Sequence, residues 1–218
     1  MGRYFAVAGA GGQASLSLWP VRTGRATLSG PLVAKIGPPD WIERQDISEA
    51  AGDGGTFAGY GRIAFSPNDG MLASAVEIKG EWADDSIVFV ALPSFKQQGV
   101  FHAEGHITDL TWSPDSRHLF YCAVGQAYRV DAHSLESESL PFGAELSACH
   151  PHRPLFVCFS SWLKNSAKGH LFVVDLDTMD VLDEHPAENV VDLRWSHDGS
   201  RAYAVTRDGL AYIYEPPF

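Results

Sequence analysis

One phrase recurs four times along this 218-residue chain and limits its folding more than any other feature. It is a short apolar run, a turn written in Ser, Pro, Asp and Gly, and a second apolar run. The copies are Ile63-Ala64-Phe65-Ser66-Pro67-Asn68-Asp69-Gly70, Leu110-Thr111-Trp112-Ser113-Pro114-Asp115-Ser116, Ala148-Cys149-His150-Pro151-His152-Arg153 and Leu193-Arg194-Trp195-Ser196-His197-Asp198-Gly199. Their turn residues Ser66, Ser113, His150 and Ser196 are spaced by roughly 37 to 47 positions, the period of a repeated four-stranded unit. Each turn is chemically sensible: Ser and Asp side chains bond nearby backbone groups, Pro presets φ, and Gly accepts positive φ.

Between the turns, short runs rich in Val, Phe, Tyr, Leu and Ala alternate with loop residues. No window of helical length shows a 3.6-residue period, apart from a turn of helix expected around 41–51. The chain therefore reads as all-β. The first repeat predicts strands at 62–65, 71–76, 86–92 and 99–102, and the second at 107–112, 118–124, 127–131 and 138–140. The third predicts 145–149, 155–160, 170–175 and 181–184, and the last only three, at 190–195, 201–206 and 210–215. Runs at 4–10, 15–20 and 31–35 read as the second, third and fourth strands of an earlier sheet. The strands are nearly continuous apolar runs, as in sheets covered on both faces by their neighbours. The expected architecture is a β-propeller of about five four-stranded blades, incomplete or with a terminal blade shared between the chain ends. It forms a single domain, 1–218, with a long inter-blade loop at 37–61 and repeats near 62–104, 105–143, 144–187 and 188–218.

The Ser-Pro-Asp turns, the pair Gly105-His106, the third strands ending in Val130-Asp131 and Val174-Asp175, and Asp208 in the turn Arg207-Asp208-Gly209 all carry a resemblance. With them the chain resembles the WD-repeat propellers and their bacterial relatives of Tol and lactonase type, over about 62–217. Only one repeat has the Gly-His pair ahead of its first strand, and no third strand ends in Trp-Asp; Trp19 precedes Pro20. The family's hydrogen-bonded His–Asp set is thus incomplete in most repeats. The resemblance implies the fold and a habit of binding partners, and it carries over no catalytic residue.

A formal charge of −11, with 16 scattered basic residues, works against nucleic acid and anionic membrane as partners. The three cysteines, Cys122, Cys149 and Cys158, lie inside apolar runs and read as buried free thiols of a reducing compartment. No apolar run approaches the roughly 18 residues of a membrane span, and the apolar start of the chain meets glycines after about seven residues and reads as a strand. The expectation is a soluble, cytoplasmic protein. No HExxH pair, GxSxG elbow or phosphate loop is present, and no cofactor or metal is implied. His150-Pro151-His152 reads as drift in a turn, and Asp84-Asp85 with Glu77 and Glu81 as a solvated acidic loop. Trp112 and Trp195, recurring in first strands, read as core.

Three long segments, 37–61, 77–85 and 161–169, connect fourth to first or second to third strands, and so belong to the same end of their sheets. Each carries one tryptophan and charge: Trp41 with Glu43 and Arg44, Trp82 with Asp84, and Trp162 with Lys164. Insertions on one face of a repeat array commonly form its binding face, and aromatics beside charges suit an interface. These seven residues are the candidate partner-binding set. The leading expectation is a non-enzymatic scaffold that binds a protein or peptide there. Two alternatives stand beside it: a metal-dependent, lactonase- or hydrolase-like enzyme drawing on His102, His106 and Asp109, and a degenerate propeller that completes its sheets by self-association.

Overall fold

The computed structural model describes residues 4–8, 16–20, 34–36, 56–79, 84–161 and 169–216. The chain divides into two compact units, Met1–Ile107 and Thr108–Phe218. All described regular structure is antiparallel sheet.

In the first unit, β1 (Tyr4–Ala8), β2 (Leu16–Pro20) and β3 (Ala34–Ile36) form one sheet in that order. β4 (Thr56–Phe65), β5 (Met71–Lys79), β6 (Ser86–Ala91) and β7 (Lys96–His102) form a second. Two expected loops are shorter than the sequence suggests. β4 begins at Thr56, inside the expected 37–61 loop, and β5 continues to Lys79. The pairing slips between Phe57 and Gly59 and again between Tyr60 and Ile63. Such bulges absorb extra residues, so the glycines that end the apolar pattern do not end the ladder.

The second unit holds three sheets in meander order. They are β8 (Ile107–Trp112, its first residue in unit 1) to β11 (Ser137–Ser139), then β12 (Leu146–Cys149) to β15 (Val181–Ala187), then β16 (Val190–Trp195) to β18 (Ala211–Tyr214). Between these lie β9 (His118–Ala123), β10 (Gln126–Asp131), β13 (Leu155–Ser160), β14 (Gly169–Asp175) and β17 (Ala202–Thr206). The strands of this unit lie where the sequence places them, with ends shifted by a few residues. β15 runs three residues past its expected end and includes Pro186, which is tolerated because β15 is the outermost strand of its sheet.

The repeated turn works as its sequence implies. Ser113 Oγ donates to the Asp115 carboxylate and accepts the His118 N–H at 2.9 Å, while Asp115 accepts the Arg117 N–H at 2.9 Å. Ser66 with Asn68, and Ser196 with Asp198, repeat the pattern. The Val-Asp endings of the third strands are caps as well. Asp131 accepts the His133 and Ser134 N–H groups, and these bonds hold its carboxyl down at about 2. Asp175 accepts from Asp177 and Thr178 in the same way.

Two cores separate the three sheets of unit 2. Phe120, Cys122 and Ala127 meet Phe156, Cys158, Phe172 and Val174 in the first. Val157, Phe159, Leu171 and Val173 meet Leu193, Ala202 and Ala204 in the second. Every residue of β13 is buried, because alternate side chains enter different cores. Burying one such Phe or Val contributes roughly 1.5–3 kcal/mol.

Candidate partner-docking surface

The turn serines set a common register for the repeats of unit 2. Counting from them, Phe120 and Cys122 of β9, Val157 and Phe159 of β13, and Tyr203 and Val205 of β17 hold the same two places. In the first two sheets these side chains face the sheet that follows, and none is more than 4% exposed. In β16–β18 the same face stands open. Val205 is 40% exposed, and Ile213, the partner of Tyr203, is 58% exposed. The opposite face, with Leu193, Ala202 and Ala204, is buried against β12–β15. β17 accordingly alternates buried and open side chains where β13 is buried throughout.

Polar groups follow the same rule. Asp109 on β8 accepts the Ser147 N–H of the next sheet at 2.8 Å, and Thr111 accepts the Cys149 N–H at 3.2 Å. Both residues act as inter-sheet fasteners. The equivalents on β16 are Asp192 and Arg194, which pair with each other at 3.0 Å. The last sheet thus keeps a carboxylate at the place where the β8–β11 sheet engages its neighbour.

The edge of this sheet is equally distinct. β18 is the third strand and has no fourth beside it among the described residues, whereas β7, β11 and β15 occupy that place in the complete sheets. Between β15 and β18 lies a groove of about 620 Å³, reached by Leu171, Asp183, His185, Tyr212 and Tyr214. In the preceding interface Leu140 and Phe142, following the fourth strand, fill the corresponding region. Asp183 accepts from His185 Nε2 at 3.1 Å and pairs with the Tyr214 hydroxyl.

A second, polar hollow lies at the turn end of the same sheets, and His150 is among the residues that line it. The ring is 4% exposed. Its Nδ1 accepts the His152 and Arg153 N–H groups, both at 3.0 Å, which places the proton on Nε2, 3.1 Å from the Gly199 carbonyl. The ring also meets Trp195 edge-on at 4.7 Å. His150 is therefore a clasp between neighbouring turns and more than drift in one of them. Trp195 is half-buried against the core, with Nε1 donating to Ala148 O at 3.1 Å, while Trp112 is fully core.

Of the expected loop residues, Trp41, Glu43, Arg44, Trp82, Trp162 and Lys164 lie outside the described residues, as does the helical turn expected at 41–51. Asp84 accepts the Gly105 N–H at 2.8 Å. Its neighbour Asp85 corrects the reading of a solvated acidic loop: it is 1% exposed, accepting the Ile107 N–H at 2.8 Å and pairing with His106 Nδ1 at 2.9 Å. The Gly105-His106 pair thus makes a His–Asp bond. The residues considered for a metal have separate partners. His102 bonds Ser86, His106 bonds Asp85, and Asp109 bonds Ser147. Among the described residues, no group of three or more His, Cys, Asp or Glu side chains gathers around one point. Sequence reasoning passed over Tyr203, Val205 and Ile213, although uncharged Ala211-Tyr212-Ile213-Tyr214 in a repeat without a fourth strand was the available signal.

The WD domain, G-beta repeat family matches residues 95–126. No curated protein sequence matches the chain. Among solved structures it is similar to TolB from Acinetobacter baumannii, with 15% identity over 98% of this chain and 49% of that one, TM-score 0.65. The Dos1 propeller matches with 13% identity over 93% and 47%, TM-score 0.65. Kuenenia stuttgartiensis hydrazine synthase matches with 11% identity over 93% and 52%, TM-score 0.64. The chain spans about half the length of each. The fold is that of a β-propeller, and at these identities the likeness reaches no further than the fold. No helix among the described residues is long and apolar enough to cross a membrane.

Proposed function

We propose that this chain is a non-catalytic propeller scaffold that binds a protein or peptide through the open face of its last sheet. The supporting observation is positional. Tyr203 and Val205 stand where the two preceding sheets bury their side chains, and Asp192 stands where Asp109 fastens a neighbour. An open face that is apolar at its centre, with the Asp192–Arg194 and Arg201–Glu215 pairs beside it, has the composition of an interface, the pairs fixing register more than adding affinity. The β13–β14 connection, carrying Trp162 and Lys164, is a further contact candidate. Its root is fixed because Ser161 is held by the Glu145 carboxylate.

A photo-crosslinking residue in place of Val205, presented to extract from the source cell, tests the reading. Adducts with another protein are expected at 205 and not at the exposed control position Glu136. Equal labelling at both positions, or adducts with nothing but the chain itself, sinks it.

A further inference from the structure

The groove between β15 and β18 follows from side chains that differ between two equivalent interfaces. Where the β8–β11 sheet meets β12–β15, the Phe156 ring fills the centre, 5.2 Å from Phe120 and 5.9 Å from Phe142. Counted from the turns, the equivalent of Phe156 in the last sheet is Ala202, and that of Cys158 is Ala204. Trp195 recovers part of this volume at the turn end, edge-on to His150. The connections differ as well. Residues 140–145 join β11 to β12 and lay Leu140 and Phe142 in the first interface. Glu188 and Asn189 alone join β15 to β16, and only the small Ala187 packs there. About 620 Å³ is left, with Val157, Leu171 and Val173 on one wall and Ala202 and Ala204 on the other. Small-molecule sites have this size, roughly 300–1,000 Å³, and this make-up of an apolar interior with few polar groups.

The polar groups come from β15 and the end of β18. Asp183 accepts from His185 Nε2 at 3.1 Å and pairs with the Tyr214 hydroxyl, and the His185 and Tyr214 rings lie 5.9 Å apart. Tyr212, two residues from Tyr214, stands on the same face of β18. Glu215, at the margin, is held by Arg201 at 2.7 Å. No lysine or arginine lines the groove. Asp183 therefore offers a carboxylate oriented by an imidazole and a phenol, beside aromatic rings, in a groove whose two carboxylates give it a negative character.

We propose that this groove binds a small organic cation, an ammonium group carried on an apolar, aromatic body. The body lies between Leu171 and Val173 on one side and Ala202 and Ala204 on the other, and the ammonium group meets Asp183 beside the tyrosine rings. A charge-assisted bond to a carboxylate and the attraction of a cation for an aromatic face both select positive charge. An anion of the same shape meets Asp183 and Glu215 instead and is repelled. Ala202 and Ala204 face away from Tyr203 and Val205. The groove is thus separate from the open face proposed for a protein partner, and either reading can fail without the other.

Two probes with one indole body and opposite charge, tryptamine and indole-3-propionate, test the site. They are titrated separately into the isotope-labelled full chain, followed by amide NMR at about pH 8, above the ordinary histidine range. Tryptamine is expected to move the Ala202, Ala204, Tyr212 and Tyr214 signals with a Kd of roughly 1 mM, a value within reach of a ligand this small. Indole-3-propionate is expected to bind at least about tenfold more weakly. Asp183→Asn keeps an acceptor and removes the charge, and should weaken tryptamine about five- to tenfold; Tyr212→Ala, at a position 41% exposed, should weaken it about threefold. Both variants are checked for the wild-type fold by the dispersion of the same spectra. The proposal is overturned if tryptamine at roughly twenty times the expected Kd moves none of the four signals. It is equally overturned if the anion binds as tightly as the cation, or if either substitution leaves the tryptamine affinity unchanged.

Discussion

Gly199 offers a direct test of the His150 clasp. A Cβ built on Gly199 would lie 2.4 Å from both Cε1 and Nε2 of His150, closer than any real contact, in a backbone with φ of +73°. Positive φ by itself does not demand glycine here. The equivalent places of the first and second repeats hold Asp69 at 55° and Ser116 at 61°. What singles out Gly199 is the imidazole packed on it. Gly199→Ala should therefore carry two penalties. The left-handed backbone costs about 1–2 kcal/mol for a residue with a Cβ, and displacing the ring sacrifices its buried hydrogen bond and packing for another 1–3 kcal/mol or so. In a His150→Ser background, which restores the residue of the other repeats, only the backbone penalty should remain. The double-mutant cycle should thus show a coupling of roughly 1–3 kcal/mol, read from urea unfolding of the full chain followed by far-UV circular dichroism. Additivity within about 0.5 kcal/mol would falsify the claim that this glycine exists for the histidine.

Two further expectations follow from the same geometry. Burial holds His150 below the ordinary histidine value, and burial with the nearby Arg129 charge does the same for His118; a group with a depressed folded pKa binds its proton more readily unfolded, so stability is full above about pH 6.5 and falls as pH drops toward the folded values. Urea midpoints should decline from about pH 7.5 to 5.5 and decline less in His150→Ser; a flat or rising profile would refute this. Asp109→Ala should destabilise by about 1–3 kcal/mol, because it leaves a buried N–H of Ser147 unpaired, whereas Asp192→Ala at the equivalent open place should change stability by less than about 0.5 kcal/mol. Equal losses in the two variants would contradict the contrast between the closed and open sheets.

The turns, the strand order and the number of sheets were legible in the sequence because they rest on local chemistry. Ser113 and Asp115 bond within five residues of themselves, and Val-Asp endings cap the turns that follow. The extent of β4 was not legible, since glycines at 59 and 61 interrupt the alternation while bulges preserve the pairing. The same limit applied to Asp85, which in sequence belongs to an acidic run. Its burial depends on Ile107 and His106, more than twenty positions away.

By itself, then, the sequence determined a repeating sheet with defined turns, since period and turn chemistry are properties of a few consecutive residues. Tertiary structure alone decided which repeats are satisfied. Phe120 and Tyr203 have equivalent places and similar chemistry, as do Asp109 and Asp192. Whether such a residue is core or surface, fastener or free, depends on the presence of a neighbouring sheet, because burial and hydrogen bonding are completed by a second surface that no local pattern encodes.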